Sequence, residues 1–281
     1  MRMIGAASLL IVLLLATSAA ANPSGQLTVL IPLNPGTVAG ANGTQWTTAL
    51  WAANTSDRDV TITCTQPALF GAPPIPCPVV KAHSTTLIAG VQESGLIHQG
   101  FFLGIPDGIG PTQIPTIDSI SFSLRVSEAV SAPHSAGTEI PLPRPSDFHN
   151  ATIALAHLPV NASSRSRLRL YGMANGTATV RVIGVQSNQE LFSTQVTLAG
   201  VDTDPIPVQL AQGPAPILHF PSFGELALPA SFPGSDDAVR IEITPSGNLA
   251  LWGFASVTDD ASEQFTIVSP SQLQYLPISL L

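Results

Sequence analysis

The sequence predicts an all-β protein, built as two tandem β-sandwich modules of immunoglobulin-like topology behind a cleaved leader. Three observations carry that expectation. After residue 22, helical periodicity is hard to find, whereas period-two alternation with β-branched residues recurs throughout. Frequent turn residues, among them 22 Gly and 26 Pro, punctuate these alternating runs into short segments. Finally, 44% of the residues are hydrophobic and only 10% charged, against a typical charged share of about 25%. The surface must then be covered mainly by Ser, Thr, Asn, Gln and Gly, and a disordered chain would need the opposite balance.

The leader comes first. Met1-Arg2-Met3 is a short positive start, Ile4 to Ala16 is an almost unbroken apolar run, and Ala19-Ala20-Ala21 offers small residues to a signal peptidase. Residues 1–21 therefore read as a secretory signal cut after Ala21, which places the mature chain in the periplasm or outside the cell. The run is too short and wrongly flanked for a retained membrane helix. About 260 residues remain, one large or two medium domains by length.

Strands are expected at Leu27–Ile31, Gln45–Ala53, Asp59–Cys64, Thr85–Ala89, Ser119–Val126, Thr152–His157, Arg167–Met173, Ala178–Val185, Gln195–Leu198, Val239–Thr244, Leu249–Val257 and Gln264–Val268. Three pairs of them read as hairpins. Residues 48–54 turn at Thr55–Arg58 into 59–63, residues 169–175 turn at Gly176-Thr177 into 179–182, and residues 239–244 turn at Pro245-Ser246-Gly247-Asn248 into 249–254. The likeness of the first two raises the idea of a duplication. Between Ser131 and Asp147, prolines at 133, 141, 143 and 145 suggest an extended connector. The simplest layout is one module over 22–135, a connector over 136–147 and a second module over 148–281. A single larger sandwich or barrel is the competing layout.

Cys64 and Cys77 flank a segment with prolines at 67, 73, 74 and 76, which cannot hold regular structure. In an exported chain they are expected to form a disulfide, whose loop closure contributes roughly 3 kcal/mol in the chain-entropy model. Neither cysteine stands at the cleavage point, so a lipid anchor there is excluded.

The formal charge of −8, with Lys81 the only lysine, argues against nucleic acid as a partner, because such binding rests on concentrated Lys and Arg. An anionic membrane surface is disfavoured for the same reason. No second apolar stretch approaches the length of a spanning helix, so no transmembrane anchor is expected.

Catalytic motifs are weak. The nearest approach to a nucleophile elbow is Phe220-Pro221-Ser222-Phe223-Gly224, which lacks the first glycine and reads as a proline-rich turn. The six histidines, at 83, 98, 134, 149, 157 and 219, form no zinc spacing. Loop aspartates Asp202 and Asp204, or Asp259 and Asp260, are the places to look for calcium, which favours clustered oxygens; the commoner role of such pairs is in solvated turns. No other cofactor is implied. A glycosidase would need two carboxylates flanking a cleft, and nothing singles out a pair.

Aromatic platforms are the remaining signal. Trp46 and Trp51 are five apart, so one strand would send them to opposite faces, one toward the core and one outward. Arg167, Arg169 and Tyr171 share a face, while Trp252 is expected in the core. Trp46 or Trp51 with Tyr171 form the candidate ligand platform. Five Asn-x-Ser/Thr sequons, at Asn42, Asn54, Asn150, Asn161 and Asn175, would be glycosylation candidates in a eukaryotic secretory pathway.

Several stretches carry a likeness: Leu30-Ile31-Pro32 with Gly40-Ala41-Asn42-Gly43-Thr44, Gly137-Thr138-Glu139-Ile140-Pro141-Leu142 with Asp147-Phe148, Arg167-Leu168-Arg169-Leu170-Tyr171, and Ala255-Ser256-Val257-Thr258-Asp259-Asp260. With these, the chain resembles a family of exported, uncharacterised β-rich proteins of soil bacteria of the acidobacterial type. The resemblance implies secretion and tandem sandwiches; it carries no activity and no site residues. The functional expectation is an exported, non-catalytic cell-envelope or extracellular module for protein interaction or adhesion, whose partner is a protein or another envelope component. Carbohydrate binding is the second expectation. A hydrolase assembled from distant residues is the third.

Overall fold

A computed structural model of the chain describes residues 27–33, 36–39, 45–61, 79–88, 100–105, 119–128, 137–160, 163–200, 221–232, 237–259 and 264–270. It is all-β. Its strands are β1 Leu27–Ile31, β2 Gly36–Ala39, β3 Gln45–Asn54, β4 Val60–Thr61, β5 Val79–Val80, β6 Ser84–Ile88, β7 Phe101–Ile105, β8 Ile120–Glu128 and β9 Thr138–Ile140 in the first half. After a 3-10 turn at Pro145–Asp147 follow β10 Ile153–Pro159, β11 Ser164–Gly172, β12 Gly176–Gly184, β13 Glu190–Leu198, β14 Ser222–Leu228, β15 Ala238–Pro245, β16 Leu251–Asp259 and β17 Phe265–Val268.

Every pairing is antiparallel. The first half holds a five-stranded sheet, β2-β3-β8-β9 with β6 also on β3, and the two-stranded pairs β1-β7 and β4-β5. Two four-stranded sheets make up the second half, in the orders β10-β15-β12-β13 and β14-β11-β16-β17. Their facing sides share one core of Leu155, Leu158, Leu168, Leu170, Val180, Val182, Ile241, Ile243, Leu251 and Val257, among others.

The β14-β11-β16-β17 sheet is apolar on both faces. Along β16, Leu251, Ala255 and Val257 enter the second-half core, while Trp252 and Phe254 point the other way, as strand alternation requires. Those two residues and Tyr171 join Leu30, Ile31, Leu50, Leu124, Val126, Ile140 and Phe102 in the first-half core. The contact between halves also has polar ties: the Tyr171 hydroxyl donates to the Pro32 carbonyl at 2.5 Å and the Thr138 hydroxyl to the Phe265 carbonyl at 2.7 Å.

Close approach explains one glycine. Gly253 lies opposite Leu170 in the ladder, and a Cβ there would come within 2.6 Å of both the Arg169 carbonyl oxygen and Leu170 Cδ2. At the β10 edge, His157 has φ +58° where the register shifts between Leu155 and Leu158. The residue expected at a strand end is thus a bulge inside the strand, which blunts an edge.

Three expected hairpins are not hairpins. β4 pairs with β5 rather than with β3, and β11 and β12 lie in different sheets, as do β15 and β16. Segments expected as turn or connector form strands: β14 begins at Ser222, and β9 falls within the proline-rich stretch. Cys64 and Cys77 lie outside the described residues, as does the leader.

Candidate binding face

Alternation along β3 sends Leu50, Ala52 and Asn54 inward and exposes Trp51. Asn54 is a buried node at the strand end. Its Nδ2 donates to the carbonyls of Arg58 at 2.6 Å, Val80 at 3.1 Å and Lys81 at 3.2 Å, while its Oδ1 accepts from the Ser56 amide and hydroxyl. The amide of this sequon is therefore fully engaged in structure. Asn175 likewise accepts from the Gly200 amide at 2.6 Å, Asn150 is exposed, and Asn42 and Asn161 lie outside the described residues.

On the outward face of the five-stranded sheet, Trp51 lies in the middle of three successive cross-strand rows. Leu87, Trp51 and Ser123 form the central row, Thr85, Ala53 and Ser121 flank it on one side, and Ala49, Arg125 and Glu139 flank it on the other. At 40% and 42% exposure, Trp51 and Leu87 are directly opposed large apolar side chains left to solvent. Neighbouring strands are about 4.8 Å apart, so the central row spans about 10 Å. Arg125 Nε donates to Ser123 Oγ at 3.3 Å, and its Nη2 lies 3.5 Å from Glu139 Oε2. The guanidinium is thus held from two sides in the row adjoining Trp51, and its charge is balanced on the face itself.

The other aromatic candidates lie elsewhere. Trp46 is half-buried against Phe265, with ring centroids 5.6 Å apart. Tyr171, expected as part of a platform, is fully buried, with Phe223, Trp252 and Phe254 rings within 5.4 to 6.4 Å. Its face of β11 is covered by the first half, which the sequence of β11 alone does not reveal. Burial drives the phenol well above its ordinary pKa, with the Arg169 guanidinium pulling in the opposite direction. Trp252 is in the core.

Outside this face, several charged side chains among the described residues pair with one another. Glu225 bridges Arg167 and Arg169, the latter at 3.4 Å. Arg181 pairs with Glu190 at 2.7 Å and Glu242 at 3.1 Å, and Glu242 also meets Arg240. Ser222, the serine of the elbow-like segment, is buried and donates to the Ala174 carbonyl at 2.6 Å. Among the described residues, no three His, Cys, Asp or Glu side chains gather in a metal-holding group. Asp259 ends β16, its amide bonded to the Gln264 carbonyl at 3.0 Å, whereas Asp202, Asp204 and Asp260 lie outside the described residues.

The alternating Ser121-Ser123-Arg125-Ser127 of β8 is the signal that could have flagged Ser123 and Arg125. Leu87 and Glu139 were not accessible that way, since only register places Leu87 opposite Trp51 and Glu139 opposite Arg125. No helix of the described residues is long and apolar enough to cross a membrane. Compared with known proteins, the chain matches no family model, and no curated protein or solved structure is significantly similar to it.

Proposed function

We propose that this chain is an exported, non-catalytic adhesion module, made of immunoglobulin-like sandwiches and working in the periplasm or outside the cell. Through the outer face of its five-stranded sheet it holds a component of the envelope or its surroundings. One observation carries this reading: Trp51 and Leu87 are paired across two strands and left exposed, on a face that otherwise holds small side chains and the Arg125–Glu139 ion pair. An exposed aromatic beside organised polar groups is characteristic of a recognition surface. The leader and the Cys64–Cys77 disulfide belong to the same proposal, resting on residues 1–21 and on the compartment they imply.

The test is co-sedimentation of the purified chain with an insoluble envelope preparation from the producing cell. Binding that Trp51→Ala abolishes while the melting temperature stays unchanged supports the reading. If Trp51→Ala binds as the parent does, or if neither sediments, the face has no such role.

A further inference from the structure

We infer that the occupant of the Trp51 face is a neutral polysaccharide of pyranose sugars, an inference that rests on the binding role proposed for that face. Three features select this class. The first is the size of the apolar surface. Two side chains exposed at 40% and 42% fall well short of the roughly 800 Å² that each partner contributes to an ordinary protein interface, with its apolar centre. They do match the apolar face of one or two sugar rings, whose C–H groups meet the negative face of an indole.

The second feature is the polar set in the row of Trp51 and the row adjoining it. Ser123 and the Arg125 and Glu139 side chains supply a hydroxyl, a planar fork of N–H donors and a carboxylate acceptor, side by side. Vicinal hydroxyls on a pyranose ring offer both donors and acceptors at similar spacing, and the Ser123 and Glu139 contacts orient the guanidinium before any ligand arrives. Preorganisation of this kind lowers the entropic cost of holding it.

The third feature is charge. Arg125 and Glu139 cancel one another, and the flanking rows contribute Thr85, Ser121, Ala49 and Ala53. A face whose described residues carry no net charge, in a chain of charge −8, does not attract a polyanion. Being a sheet face rather than a pit, it accommodates an internal stretch of a long chain, laid along the roughly 10 Å row of Leu87, Trp51 and Ser123.

The experiment titrates the intact protein with hydroxyethylcellulose, laminarin, xylan and mannan, with polygalacturonate as the anionic comparison. Readouts are retardation in affinity gels and acrylamide quenching of tryptophan, because Trp51 is more exposed than Trp46 or Trp252. We expect at least one neutral polysaccharide to retard the protein and protect its fluorescence. Trp51→Ala should weaken that binding at least tenfold, and Arg125→Gln or Glu139→Gln several-fold, without a change in melting temperature. Leu87→Ser serves as the second variant should Trp51→Ala fold poorly.

Absence of binding to all four neutral polysaccharides, or binding that the variants leave intact, overturns the inference. Stronger retention of polygalacturonate does the same. The envelope assay separates the two levels. Trp51-dependent sedimentation that survives periodate oxidation of the envelope but not its proteolysis means a protein partner, which sinks the sugar inference and leaves the adhesion reading standing. Loss of all Trp51 dependence removes both.

Discussion

Two sheets of this molecule carry aromatic side chains on a face turned away from their most apolar neighbours, and the two faces have opposite fates. On the β14-β11-β16-β17 sheet, Phe223, Tyr171, Trp252 and Phe254 are covered by the first half of the chain, and the Tyr171 hydroxyl is tied to Pro32. On the five-stranded sheet, Trp51 and Leu87 have similar chemistry but remain exposed. Burying an aromatic side chain stabilises by about 1.5–3 kcal/mol, so covering the first face contributes to folding. Leaving the second bare forgoes that gain, which is understandable if its cover comes from another molecule.

Substitutions on the covered face should have the largest effects. Tyr171→Ala is expected to cost about 3–5 kcal/mol, the usual range for deleting a buried ring, read as a drop in the guanidinium unfolding midpoint. A loss below 1 kcal/mol would mean that the two halves barely depend on each other. Tyr171→Phe keeps the ring but strands the Pro32 carbonyl, at about 1–3 kcal/mol.

The same tyrosine sets a pH dependence. Its folded-state pKa is raised by burial, so its contribution is complete below the unfolded-state value of about 10 and declines as pH rises beyond it. Urea titrations at successive alkaline pH values should show stability falling above about pH 10, with a shallower fall in Tyr171→Phe. Parallel curves for the two proteins would contradict the burial.

Backbone crowding comes next. Gly253→Ala places a methyl within 2.6 Å of the Arg169 carbonyl, and since the obstacle is backbone, about 1–3 kcal/mol should be lost. Asn54→Ala removes one donor group from three carbonyls in the first half and should cost about 1–3 kcal/mol. Neither should alter acrylamide quenching of Trp51. The smallest stability effect is expected at the bare face: Trp51→Ala should stay within about 0.5 kcal/mol of the parent by thermal melting. A larger loss would show that Trp51 is a packing residue and dissolve the contrast.

Much of the strand content was legible in the sequence, because period-two alternation depends only on which side of an extended chain meets apolar surroundings. β1, β3, β8 and β10 to β12 fall close to the expected segments. Missing strands have local reasons. β14 follows Pro221 and β9 lies just before Pro141, so proline masked both. β13 starts at Glu190, five residues earlier than expected, because its first residues are only partly buried.

The hairpin readings failed for a different reason. A turn such as Ser246-Gly247-Asn248 reverses the chain equally well within one sheet or between two. Inward residues face the same side in a hairpin and face each other across a core in a crossover. Alternation in each strand is identical in both cases.

For the site, strand parity along β3 required Trp46 and Trp51 to face opposite sides but left open which of them is outward; the structure exposes Trp51 and packs Trp46 against Phe265. Tyr171 carried the same kind of signal and ended fully buried. The residues 22–281 by themselves determined an all-β chain, most of its strands and which side of each is apolar, since these follow from composition and local alternation. Only the tertiary structure decided which apolar faces find a partner within the chain, and that Leu87 and Ser123 lie opposite Trp51 with Arg125 and Glu139 in the adjoining row. Those outcomes depend on register and on contacts between residues distant in sequence, and no local pattern encodes them.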